Sequence, residues 1–159
     1  MKKLLFITLA LSLLLASCGG GSEDMPSDGN TSEVQTVKNN DKYGLTVTLE
    51  DVTPTGLTLI FTQKDVEYEG ELETGDYYSV QVSDGEGNWT DVPETPGNKG
   101  WHQVAYLIKK NDTTEFDINW EWLYGELPKG EYRIQKLLQQ HISPDNINKA
   151  EYYSYFEIK

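Results

Sequence analysis

One cysteine, two histidines and two methionines are all that the 159-residue chain contains of those types. The single cysteine, Cys18, rules out an internal disulfide, and it leaves no thiol for a nucleophile or metal site anywhere else. His102 and His141 stand far apart without a second ligand at metal-binding spacing. A Gly-x-Ser-x-Gly elbow, a His-Glu-x-x-His helix, a Walker loop and a Ser-x-x-Lys pair are all missing. The expectation is a chain with no catalytic residues, no metal and no cofactor, and hence no enzyme. Basic residues are scarce as well: 13 against 26 acidic ones, a formal net charge of −13. Such a surface repels polyphosphate, which excludes nucleic acid as a partner. Long apolar runs are limited to one, Leu4 to Leu15.

That run follows Met1-Lys2-Lys3, the charged start of a secretory signal, and it is too short to span a bilayer stably. It closes on Leu15-Ala16-Ser17-Cys18, which resembles the lipobox of bacterial lipoproteins. The resemblance implies that residues 1–17 are removed and that Cys18 becomes the lipid-bearing first residue. Two acyl chains would then hold the protein on the membrane, where one alone is marginal. Loss of Lys2 and Lys3 leaves eleven basic against twenty-six acidic residues, 11 − 26 = −15. The implied location is the extracytoplasmic face of a bacterial membrane, the outer membrane included if the envelope has two.

Residues 18–40, CGGGSEDMPSDGNTSEVQTVKNN, are rich in glycine, serine, acids and amides and poor in side chains to bury, the composition of a flexible acidic tether. Its reach is roughly 25 Å on the square-root scaling of flexible linkers. Residues 41–159 are the size of one domain. Leu45, Val47 and Leu49 alternate with threonines, as do Leu57, Leu59 and Phe61; Tyr78, Val80 and Val82 follow, then Trp89 to Val92, Val104 to Ile108, Phe116 to Trp120, Tyr132 to Leu138 and Tyr152 to Ile158. Period-two patterning broken by turns predicts an all-β antiparallel sandwich of seven or eight strands. Arg133 to His141, RIQKLLQQH, has good helix propensity, and a strand is predicted only for its first half. Gln140 to Ala150 is expected to be a long polar loop.

Trp120 to Ile134 reads WEWLYGELPKGEYRI. Leu127-Pro128-Lys129-Gly130 fits a type I turn, and Tyr132 follows two residues later. This pattern is similar to the tyrosine corner of immunoglobulin-like sandwiches, in which a phenol fills the bend between sheets and bonds back to the chain just upstream. Here the acceptor is expected near Glu126 or Leu127. With Gly56-Leu57-Thr58-Leu59, Phe61, Tyr78, Trp89, Trp120 to Arg133 and Tyr152 to Ile158, the domain resembles a bacterial immunoglobulin-like (Big-type) family. The resemblance implies a fold; it assigns no reaction and no ligand residues. The other reading of the same stretch is an aromatic binding platform, which requires Trp120 and Tyr132 to be exposed.

Glu67, Glu69, Glu71 and Glu73 recur at every second residue, so one strand would align four carboxylates on one face. Such a row protects an edge strand from aggregation or captures a cation or basic partner. Asp84, Glu86 and Asn88 have calcium-loop chemistry, but a hairpin turn accounts better for Gly85 and Gly87. Three functions stay open: a non-catalytic binding or structural module of the envelope whose partner is another envelope protein or a glycan, a proteinase inhibitor using Gln140 to Ala150, and a glycan binder stacking sugar on Trp89 and Trp101.

Overall fold

The computed structural model describes residues 35–37, 42–97 and 100–159. The signal segment, Cys18 and most of the predicted tether lie outside the described residues. Two antiparallel sheets face each other. The first contains β1 (Gln35–Val37), β2 (Leu45–Thr53), β3 (Gly56–Gln63) and β7 (Thr113–Asn119), in the order β1-β2-β3-β7. The second runs β5 (Trp89–Asp91), β4 (Glu71–Ser83), β8 (Gly130–Ser143), β9 (Asn146–Ile158), with the short β6 (Ala105–Leu107) also paired to β4. The single described helix, α1 (Glu121–Tyr124), is one turn long.

Alternation makes the sandwich. Leu45, Val47 and Leu49 of β2, Leu57, Leu59 and Phe61 of β3, Val80 of β4, Ile134 and Leu138 of β8, and Tyr152, Phe156 and Ile158 of β9 all point inward and are buried. Their intervening neighbours face water, which fixes register, since a one-residue slip would expose every core side chain. Trp120 lies at the base of this core, fully buried, stacked on Phe156 at 5.5 Å between centroids; Tyr132 stacks on the same ring, also at 5.5 Å.

Several expectations are corrected. β1 pairs with β2, Gln35 opposite Leu49, so the sheet begins inside the segment assigned to the tether, ahead of Asp41. β8 is a strand over its whole length, because Ile134 and Leu138 are buried at alternate positions and tertiary packing overrides helix propensity. Gln140 to Ala150 is no protruding loop: His141 pairs with Ile147 and Ser143 with Asn146, so only Pro144 and Asp145 turn the chain.

The glutamate row also fails to form. β4 starts only at Glu71, so Glu67 and Glu69 lie outside it. Gly70 breaks the run at φ 75°, where a Cβ would collide with the carbonyl of His141. Buried glutamines hold the irregular segment: Gln63 donates to Val66 O at 2.7 Å and Gln140 to Glu69 O at 2.8 Å. Glu71 and Glu73 then lie on a strand flanked by β8 and β6, not at an edge, and Glu73 Oε1 is 2.7 Å from His141 Nε2.

Candidate binding groove at the open side of the sandwich

The corner comes first, because it sets the segment that carries Trp122. Tyr132 is buried and its hydroxyl donates to the carbonyl of Pro128 at 2.8 Å, one residue beyond the acceptors expected from the sequence. Trp120 Nε1–H donates to Pro54 O at 2.8 Å, and Leu127 N–H donates to the same oxygen at 2.9 Å. The β2–β3 turn is thus clamped by the segment between the sheets. Trp120 and Tyr132 are core, and the platform reading of them falls. Trp122, on the exposed side of α1, is 44 % accessible.

A bulge builds the floor of the groove. Between Thr74 and Tyr78 the β4–β8 register shifts: Thr74 pairs with Leu138 and Tyr78 with Lys136, so Gly75, Asp76 and Tyr77 face Leu137 alone. Their carbonyls cannot all find strand partners. Lys136 stands at an inward position of β8, only 4 % exposed, and its ammonium donates to the carbonyls of Gly75, Asp76 (3.4 Å) and Tyr77 (3.2 Å). Burial lowers the lysine pKa to about 8, with the Asp76 carboxylate opposing that shift.

Over this floor lies a groove of about 510 Å³ between the β7 edge of one sheet and the bulged part of β4 in the other. Trp101 forms one wall, in edge-to-face contact with Tyr78 at 4.8 Å and with Trp122 at 5.3 Å. Tyr106 also lines the groove, its hydroxyl donating to Asp76 Oδ1 at 2.9 Å and its ring edge-on to Phe116 at 5.5 Å. The carboxylate that accepts this bond raises the Tyr106 pKa; burial raises that of Tyr78, whose hydroxyl donates to Asn119 O at 3.1 Å. The groove is lined by five consecutive β7 residues, Glu115 to Asn119. Aromatic walls with a few fixed polar groups suit a bound ligand.

The other sequence candidates are scattered. Trp89 is half-buried on the outer face of the second sheet, 5.4 Å from Tyr155 with Arg133 over its ring, so it does not join Trp101 in one sugar site. Asp84 closes the β4–β5 hairpin, accepting from Glu86 N–H at 2.8 Å and Asn88 N–H at 3.0 Å, and these bonds hold its pKa low. His102 lies on the groove rim, exposed. No group of three or more His, Cys, Asp or Glu among the described residues could hold a metal. No described helix is long and apolar enough to cross a membrane. Sequence reasoning missed Asp76, Tyr106, Phe116 and Lys136. The available signals were Gly75 within a strand, which marks a bulge, and a lysine at the same parity as Ile134 and Leu138.

Two facing antiparallel sheets joined through a tyrosine corner define an immunoglobulin-like sandwich. The family model described as "Bacterial Ig-like domain" matches residues 39–157, well over half of the chain, and the chain belongs to that family. No curated protein and no solved structure matches it.

Proposed function

We propose that this chain is a lipid-anchored, extracytoplasmic protein whose immunoglobulin-like domain binds a partner in the groove beside Trp101 and Trp122. Membership of the family supports a non-catalytic binding or structural module. The lipobox at Leu15 to Cys18 supports the anchor and the location. One observation carries the binding reading: large aromatic side chains stay open to solvent around a shaped groove, Trp122 at 44 % and Tyr106 at 37 %. A glycan is a second candidate ligand, because Trp101 and Trp122 both line the groove. The inhibitor reading has lost its protruding loop.

The test is titration of tryptophan fluorescence with panels of glycans and of short peptides, on wild type and on Trp122→Ala. A saturable signal that weakens by about tenfold or more in the variant, at unchanged melting temperature, supports the groove. Equal binding by wild type and variant would place the site elsewhere.

A further inference from the structure

In an antiparallel ladder the N–H and C=O of one residue point to the same side of the strand, and successive residues alternate. Two hydrogen bonds fix which residues of β7 face β3. Trp120 N–H donates to Thr55 O at 2.9 Å just beyond one end, and Gln63 N–H donates to Asp112 O at 3.0 Å just beyond the other. Both β7-side partners are even-numbered and share the register that pairs Gly56 with Asn119. Even residues of β7 therefore bond to β3, and Thr113, Glu115, Asp117 and Asn119 turn their backbone groups away from it, toward the groove.

The ends of that free edge are closed from within. Thr113 N–H donates to Asp112 Oδ1 at 2.8 Å, and Asn119 O accepts the Tyr78 hydroxyl at 3.1 Å. The middle is not closed. Among the described residues no strand lies on this side of β7, and the backbone groups of Glu115 and Asp117 have no hydrogen-bond partner. Two N–H and two C=O groups thus border an aromatic groove, at the spacing a neighbouring strand uses.

We infer that an extended peptide adds to β7 along this groove, pairing with the backbone of Glu115 and Asp117. The inference rests on the groove reading and names its ligand. Strand addition takes affinity from main-chain bonds and specificity from alternate side chains. Side chains of the added strand on one face would meet Trp101, Trp122 and Tyr106, which favours apolar or aromatic residues. Those on the other face would lie beside the exposed carboxylates of Glu115 and Asp117, which favours lysine or arginine. The same carboxylates, in a chain of net charge −13, repel a second copy of this protein. The fitting partner is a segment that alternates basic and apolar residues.

The probe is an end-blocked heptapeptide, Lys-Val-Lys-Val-Lys-Val-Lys, used on the full chain with fluorescence titration and amide exchange. Expected are saturable binding, slowed exchange at the Glu115 and Asp117 amides, and loss of about tenfold or more in affinity when alternate peptide nitrogens are methylated, since each methyl group removes a main-chain bond. Glu115→Pro removes a groove-facing N–H, which an edge strand tolerates, and is expected to weaken binding similarly. The wild-type exchange and methylation results stand even where that variant does not fold. Undiminished binding of the methylated peptide means charge attraction alone and overturns strand addition while leaving the groove intact. Failure of the peptide with Trp122-dependent binding of a glycan does the same. No binding by peptide or glycan overturns both readings.

Discussion

Tyr132 reaches back to Pro128 and donates its hydroxyl to that carbonyl at 2.8 Å, tying the start of β8 to the turn that delivers it. The ring is meanwhile stacked on Phe156 of the neighbouring strand. One side chain thus sets both the bend and the angle at which β8 enters its sheet. Tyr132→Phe keeps the stack and orphans the carbonyl. The expected cost is about 1–3 kcal/mol, read from urea unfolding, for a polar group left without its partner. A variant as stable as wild type would mean that water satisfies Pro128.

Trp120 combines full burial with a bond to Pro54 O at 2.8 Å. Trp120→Ala removes a large core side chain and is expected to cost about 3–5 kcal/mol. Trp122→Ala, by contrast, removes an exposed ring and is expected to leave the unfolding midpoint nearly unchanged. Equal destabilisation by the two substitutions would contradict the placement of these side chains.

Lys136 makes stability depend on pH with a definite sign. Its folded pKa, about 8, lies below the value of 10.5 for a free lysine. Between the two, the unfolded chain holds a proton that the native chain has released, so stability rises with pH. Below pH 8 both states are protonated and the cost of burying the ammonium is fully present. The expected gain from pH 8 to 10 is on the order of 2 kcal/mol, measured by urea unfolding. Tyr78 and Tyr124 act in the opposite direction, but only above their ordinary value of 10.0. Lys136→Met is expected to flatten the profile in this window; an unchanged slope would assign it to other groups.

Cys18 lies outside the described residues, and its role is tested in cells. Cys18→Ala is expected to give uncleaved precursor or soluble protein, and the natural chain is expected to partition with membranes and take up labelled fatty acid. Identical fractionation of the two would remove the anchor.

The domain is expected to melt at the same temperature with and without chelator. Asp84 already accepts bonds from Glu86 and Asn88. A fall of several degrees with chelator alone would restore a cation to this turn.

The parts of the fold legible in the sequence were those fixed by period-two burial. Leu45 to Leu49 and Leu57 to Phe61 alternate cleanly and are strands whose inward side chains are core. The corner was legible too: Tyr132 bonds back to the Pro128 carbonyl, and Gly130 leaves room for the Tyr132 ring, although Leu127 to Gly130 forms no hydrogen-bonded type I turn. What escaped depends on partners distant in the chain. The glutamate row alternates as a strand should, yet Gly70 must approach the backbone of His141, seventy-one residues on, and the strand stops there. Lys136 at an inward position is explained only by the three carbonyls that the β4 bulge leaves behind. The groove was illegible for the same reason: its walls come from the segment after β5, from β6, from β7 and from α1, and no local pattern announces that they meet.

The long β8–β9 hairpin has a consequence for the order in which the chain folds. Its ladder runs from Ser143 opposite Asn146 out to Gly130 opposite Ile158, so every rung closes a short loop or extends one already closed. Closing β3 onto β7, Gly56 opposite Asn119, must instead bring together residues far apart in the chain. Local pairing costs less chain entropy and forms faster. Of the pairings closed by a short turn, β8–β9 is the longest and β2–β3 the next, so the C-terminal hairpin is expected to act as the nucleus, zipping outward from Pro144 and Asp145 until it presents Ile134, Leu138, Tyr152 and Phe156 as a surface on which the earlier strands condense. Synthesis reverses that order. The nucleus is the last part of the domain to leave the ribosome, so the domain completes its sandwich only after its final strand has emerged.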